Sequence, residues 1–213
     1  MKTDELIALL ARSPVAVDRA AASRRFHAHL AAAIVACAAI VWFAYGPRPD
    51  WRTAIELPMF WLKLAFPAAT GLAALLVLHR LGHPGMRLKA SPAGLILPLA
   101  MVWLMTAAVL MATPPDAWGA AVLGTSWRQC VLSILALSIP AFILAFAAMR
   151  TLAPTRLALA GATAGLFAGC AAAFAYAIHC TEMQAPFLGV WYAIGMLVPA
   201  GAGALLGPRV LRW

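Results

Sequence analysis

Acidic residues are scarce in this chain: seven Asp and Glu stand among 213 residues, and charged residues of both signs make up only 11%. A soluble domain of this size needs far more polar surface, so a water-soluble fold is excluded. The loops between apolar stretches are all short, which leaves no room for a catalytic domain. The sequence has no CxxC, the local spacing that marks dithiol oxidoreductases and many metal sites. Nor is a cleavable signal peptide evident, because the first apolar stretch begins only after residue 26 and meets no small-residue cleavage site before Gly46-Pro47. Ser23-Arg24-Arg25-Phe26 faintly resembles a twin-arginine signal, but two arginines anchoring a helix end account for it better. No repeat, low-complexity segment or internal boundary divides the chain.

What fills the sequence is apolar: 64% of its residues are hydrophobic. Six stretches approach the ~20 residues needed to cross a hydrocarbon core, at 27–45, 59–79, 93–112, 130–149, 157–178 and 188–206. No alternation of barrel strands is present, and a lipid-facing backbone must satisfy its own hydrogen bonds, so all six are predicted to be helices. The expected fold is all-α, a polytopic membrane bundle of six helices spanning 27–213, preceded by an amphipathic segment, 1–26.

Lys and Arg orient such a bundle. Twelve of the sixteen fall on one side: Lys2, Arg12, Arg19, Arg24, Arg25, Arg80, Arg87, Lys89, Arg150, Arg156, Arg209 and Arg212, against three acids, Asp4, Glu5 and Asp18. The other side carries Arg48, Arg52, Lys63 and Arg128 against Asp50, Glu56, Asp116 and Glu182, so the whole formal charge of +9 lies on the first side. Both termini are therefore expected in the cytoplasm, with the protein in a bacterial inner membrane. The basic pI then reflects orientation and anionic lipid, not direct nucleic-acid binding.

In the N-terminal segment Thr3 can cap a helix whose first turn holds Asp4 and Glu5. Leu6, Ile7, Leu9 and Leu10 form an apolar stripe, Ser13-Pro14 breaks the pattern, and a second short amphipathic piece is expected through Asp18 to Arg25. The segment is too short to bury a core. Its stripe must lie on the membrane, pack on the protein's own loops or bind a partner. In the bundle, Gly161, Gly165 and Gly169 make a small-residue ridge suited to close helix packing, with Gly195, Gly201, Gly203 and Gly207 in the last helix.

Chemistry concentrates at the outer boundary. His179-Cys180-Thr181-Glu182 sets a thiol, an imidazole and a carboxylate together, and Cys130 opens the preceding span on the same side. The periplasm permits disulfides. Ser126 and Gln129 read as a capping box, which would place Cys130 in the first turn of its helix, where the dipole favours thiolate. Cys180 lies at a helix C-terminus, which disfavours it. The expectation is an unequal pair, Cys130 the more reactive and Cys180 the resolving partner or second ligand. A soft metal ion, held transiently, competes for the same atoms: Cys130, His179, Cys180 and Glu182 form a candidate set if the helix persists through 182. Cys37 and Cys170 sit deep in their helices as inert packing residues. Lys63, inside the second span, is a functional candidate by position, although snorkelling outward toward Glu56 is the simpler expectation. His27, His29, His79 and His83 look like interface residues.

Several stretches resemble the NrsF family of six-span anti-sigma factors, named for a negative regulator of the extracytoplasmic-function sigma factor F. They are Met1 to Ile7, Cys130 with Ser138-Ile139-Pro140-Ala141, Ala160-Gly161-Ala162, Ala164-Gly165-Leu166, Tyr176 to Glu182, Val190-Trp191-Tyr192 and Leu211-Arg212-Trp213. The His-Cys-x-Glu stretch followed by Val-Trp-Tyr is the most specific part. The resemblance implies that the N-terminal segment holds the sigma factor, with Asp4, Glu5, Leu6, Ile7, Leu9 and Leu10 as contacts. It also implies that Cys130 and Cys180 detect heavy metal or oxidant. Cys37 and Cys170 fall outside the family pattern, and Thr155-Arg156 replaces a more proline-rich turn.

The expected function is thus a membrane-embedded anti-sigma factor, not an enzyme and without a resident cofactor, whose partners are a sigma factor and the bilayer. A membrane thiol-disulfide oxidoreductase linked to quinone is the alternative. A transporter fits less well, because no intramembrane carboxylate or inverted repeat accompanies Lys63.

Overall fold

A computed structural model describes residues 3–11, 19–83 and 91–212. The predicted break at Ser13-Pro14, the charges Lys2, Arg12, Asp18, Arg87 and Lys89, the end of the Gly82-His83-Pro84-Gly85 turn and Trp213 lie outside the described residues, as do the side chains of Leu9, Leu10 and Arg19. The described chain is helical throughout its regular structure. Six of its helices are long and apolar enough to cross a membrane. The chain therefore reads as a multi-pass membrane protein.

The elements are α1 (Thr3–Ala11), α2 (Arg19–Ile40, continued by a π-helical turn, Val41–Tyr45), α3 (Trp51–Ala54), α4 (Pro58–Leu81) and α5 (Ser91–Ala112). After a 3-10 turn at Pro115–Ala117 come α6 (Trp118–Leu123), α7 (Trp127–Arg150), α8 (Leu157–Ala177), α9 (Ala185–Phe187), a second π-helical turn (Leu188–Tyr192) and α10 (Ala193–Val210). All six predicted spans appear, within a few residues at most ends. The second amphipathic piece does not form separately. Residues 19–25 are the opening turns of α2, which runs on unbroken into the first span.

The connections alternate between the two ends of the bundle. One end gathers the loops at 46–57, 113–126 and 178–184, with the Arg48 amide donating to the Ile178 carbonyl. At the other, Leu152 lies against Gly82, and the Phe26, His27, His79 and His83 rings cluster. At the centre stands α8, built largely from Ala and Gly and buried along most of its length. A Cβ on Gly161 or Gly165 would overlap the carbonyl oxygens of Gly203 and Pro199, so α8 and α10 meet backbone to backbone. That contact is the one the glycine ridge predicts. In contrast, α5 lies at the periphery and exposes Ile96, Leu97, Met101 and Leu104, as a lipid-facing helix does.

Candidate functional site: a paired thiol under a buried lysine

Chain termination of α8 creates the site. The helix ends at Ala177, and the amides of His179 and Cys180 both donate to the Tyr176 carbonyl before the chain turns outward. Residues 180–184 are then irregular, and their carbonyls need donors from elsewhere. Lys63, on α4, supplies two of them. Its Nζ donates to the Cys180 carbonyl at 2.6 Å and the Glu182 carbonyl at 2.8 Å, and the Tyr192 ring centroid lies 5.6 Å from it. Lys63 is wholly buried, so the expected snorkelling toward Glu56 does not occur. The physical reason is local: two unsatisfied carbonyls sit within reach of the ammonium, and they hold it inside.

The side chains of Cys130 and Cys180 are close enough to interact, both buried and with no disulfide between them. Fifty residues apart in sequence, they are brought together by Glu182. Its Oε1 accepts hydrogen bonds from the Thr125 amide at 2.9 Å, the Thr125 hydroxyl at 2.8 Å and the Ser126 hydroxyl at 3.2 Å. Ser126 does occupy the N-cap position of α7, yet the predicted capping box is absent, because its hydroxyl serves Glu182 and makes no cap bond. Cys130 lies four residues into α7 with its amide already bonded to the Ser126 carbonyl.

The structure sets a cation against the Cys180 main chain, which the local sequence does not reveal. Cys180 is the sulfur beside the cation. The hydrogen bond from Cys130 and the Lys63 ammonium outweigh burial and pull its pKa below the ordinary thiol value. A helix C-terminus alone would have had the opposite effect, so the tertiary neighbour decides. Among the described residues the buried Tyr192 hydroxyl has no hydrogen-bond partner, and it lies near the Cys180 thiol.

The four-residue metal set is broken up. His179 and Glu182 share no helix face, since the helix stops before either. His179 Nδ1–H donates to the Gly46 carbonyl at 2.9 Å, and its ring packs against Tyr45 and Tyr176. Among the described residues no group of three or more His, Cys, Asp or Glu is placed to hold a metal ion. The thiols remain as a facing pair, which an oxidant can join or a thiophilic ion can bridge.

Arg48 escaped the sequence reading. It is 3% exposed and forms a bidentate pair with Asp50 at 2.8 and 2.7 Å, lying against Met183 and 6.0 Å from the Phe60 ring centroid. Only its place in an outer loop was visible in the sequence, and a loop position predicts exposure. Cys37 and Cys170 are packing residues as expected, their thiols against the Leu137 carbonyl and Met196 sulfur.

Fold and site together define a multi-pass helical protein with one facing thiol pair at one end of the bundle. Comparison with known proteins carries this further: the family model described as "Negative regulator of sigma F" matches residues 10–213. The chain belongs to that family, a regulatory rather than catalytic one. It is 38% identical over its full length, and that of the relative, to a probable anti-sigma-F factor of Azospira oryzae. It is 36% identical, again over both full lengths, to the anti-sigma-F factor of Caulobacter vibrioides. No solved structure matches it.

Proposed function

We propose that this protein is an anti-sigma factor embedded in the bacterial inner membrane, which sequesters a cytoplasmic extracytoplasmic-function sigma factor and releases it when Cys130 and Cys180 change state. The observation that carries the sensing half is the contact between those two thiols in a chain of the sigma-F regulator family. In support of the sequestering half, α1 carries Asp4 and Glu5 in its first turn and leaves Leu6 and Ile7 exposed at 43% and 59%. An apolar stripe with an acidic start suits a groove on a basic, DNA-binding partner. The basic residues Arg80, Arg150, Arg156, Arg209 and Arg212 gather at the bundle end away from the thiols, which supports a cytoplasmic location for that end and for α1.

Heavy metal or oxidant supplies the signal. Moving a two-state switch from 1:99 to 99:1 takes roughly 5.5 kcal/mol of differential free energy, which a disulfide or a thiolate-bound soft ion can provide. Two measurements test the reading. Pull-down of the full-length protein recovers a sigma factor, and deletion of residues 1–26 abolishes recovery. Cys130→Ser/Cys180→Ser keeps the target genes repressed but no longer permits induction by diamide or cadmium. Normal induction in the double variant overturns the sensing mechanism, and recovery without residues 1–26 overturns the binding site.

A further inference from the structure

Lys63 is a wholly buried ammonium that, among the described residues, has no carboxylate at ion-pair distance. Such a charge is retained at a cost that an apolar side chain of the same length avoids. Its partners are two main-chain carbonyls on one three-residue stretch, those of Cys180 and Glu182. The same stretch is held from two other directions. The Cys180 amide is tied to Tyr176 at the end of α8, and the Glu182 carboxylate is tied to Thr125 and Ser126 at the start of α7. Of the three attachments, only the lysine is cationic and grips the carbonyl of Cys180 itself.

The geometry points to Lys63 as the positioning residue of the thiol pair: its ammonium fastens the Cys180 main chain to α4 so that the Cys180 sulfur faces Cys130, and supplies the positive charge beside that sulfur. This assignment rests on the thiol-sensing reading and names the group that readies the pair for reaction. Disulfide formation breaks two S–H bonds and makes one S–S bond, passing two protons and two electrons to an oxidant such as diamide, which becomes the hydrazine. The sulfurs must close to about 2.05 Å with Cα atoms no more than about 7 Å apart, so a wandering loop reacts slowly and a fastened one reacts fast. Lys63 also links the event to the bundle, because whatever displaces the Cys180 main chain pulls on α4.

The test uses the full-length chain in isolated membranes without a sigma factor, in a Cys37→Ala/Cys170→Ala background so that only the pair reports. Diamide-driven disulfide formation is followed by thiol gel shift. Lys63→Met is expected to slow it by about tenfold or more, the scale that small misplacements of reacting groups produce, and Lys63→Arg to restore it to within about threefold. A second readout separates charge from mere shape. In the same background with Cys130→Ala, Cys180 is modified by negatively and positively charged methanethiosulfonates. The preference for the negative reagent should fall in Lys63→Met and persist in Lys63→Arg. Parent-like oxidation in Lys63→Met, or an unchanged reagent preference, overturns the assignment. If Lys63→Met does not accumulate, Lys63→Gln, which keeps a donor and loses the charge, is compared with Lys63→Arg, and equal rates and preferences in the two overturn it. These rates stand whether or not a sigma factor is sequestered, and the induction assay of the double Cys variant stands whatever Lys63 does.

Discussion

Glu182 and Thr125 are joined twice: one carboxylate oxygen accepts both the Thr125 amide, at 2.9 Å, and its hydroxyl, at 2.8 Å. Neither residue lies in a spanning helix by its own secondary structure, yet this junction sets the entry of α7 against the exit of α8. The distance between Cys130 and Cys180 is thus governed by a carboxylate that carries neither sulfur.

Glu182→Gln keeps the acceptor oxygen and loses the charge. Hydrogen bonds to a charged group are worth about 1.5–3 kcal/mol, and partial solvation of Glu182 reduces that, so a loss of ~1–2 kcal/mol is expected. Thermal unfolding in detergent measures it, with slower diamide oxidation of the cysteine pair as a companion effect. An unchanged unfolding temperature would remove Glu182 from the account of how the thiols meet.

Acidification should act on the same junction. Burial would raise the Glu182 carboxyl, but hydrogen bonds from Thr125 and Ser126 prevail and hold its pKa below the ordinary 4.5. Asp50 is likewise lowered from 3.8, chiefly by the hydrogen bond from Arg48. A carboxyl with a depressed folded-state pKa stabilises the fold above its unfolded value, and that contribution disappears as pH falls through the folded value. Stability should therefore hold from neutral pH down to about 4.5 and then decline. Unfolding temperatures across this range should show a shallower decline in Glu182→Gln than in the parent.

His179→Ala distinguishes packing from metal ligation. Loss of a true ligand or its supporting partner shifts metal affinity roughly 10–100-fold. The His179 ring instead faces Gly46, Tyr45 and Tyr176, so the cadmium dose for induction should move by less than about twofold. Removal of its hydrogen bond should lower stability by ~1 kcal/mol. A tenfold dose shift would restore His179 to the metal site.

Gly165→Leu should prevent stable assembly. The space a side chain needs there is occupied by the backbone of Pro199 and Ala200, which cannot give way as a rotamer can. Overpacking typically costs 1–3 kcal/mol, and about the upper end or beyond is expected at a backbone contact. Gly201→Leu is the control, since a Cβ at Gly201 meets nothing within 4 Å. Equal membrane accumulation of the two variants would mean that α8 and α10 are not packed in this way.

The spans were legible because length and apolarity are local properties. The α8–α10 contact was legible because a glycine every fourth residue has a single geometric use. The Cys130–Cys180 encounter was half visible, as two thiols sharing one membrane boundary. The cation beside Cys180 was not, because helix polarity is written in the local sequence whereas Lys63 approaches from 117 residues away. Ser126 shows the same limit: the cap motif was present, but Glu182 competes for its hydroxyl and only the tertiary fold shows it. Arg48 looked like a solvated loop charge for the same reason, and burial came from partners outside its own segment.

The backbone contact between α8 and α10 has a mechanical consequence. Where carbonyls and Cα atoms touch directly, few rotamers are available to soften a displacement, so the two helices behave as a stiff spindle. The Cys180 loop hangs from the head of that spindle, while α2, α4 and α7 pack around it with larger, adjustable side chains. A shove at the head is then dissipated least along α8 and taken up most by the surrounding helices, which turn against the axle. Of these, α2 is the helix that follows α1 in the chain, so under the proposed switch it would carry such a turn to the opposite end of the bundle.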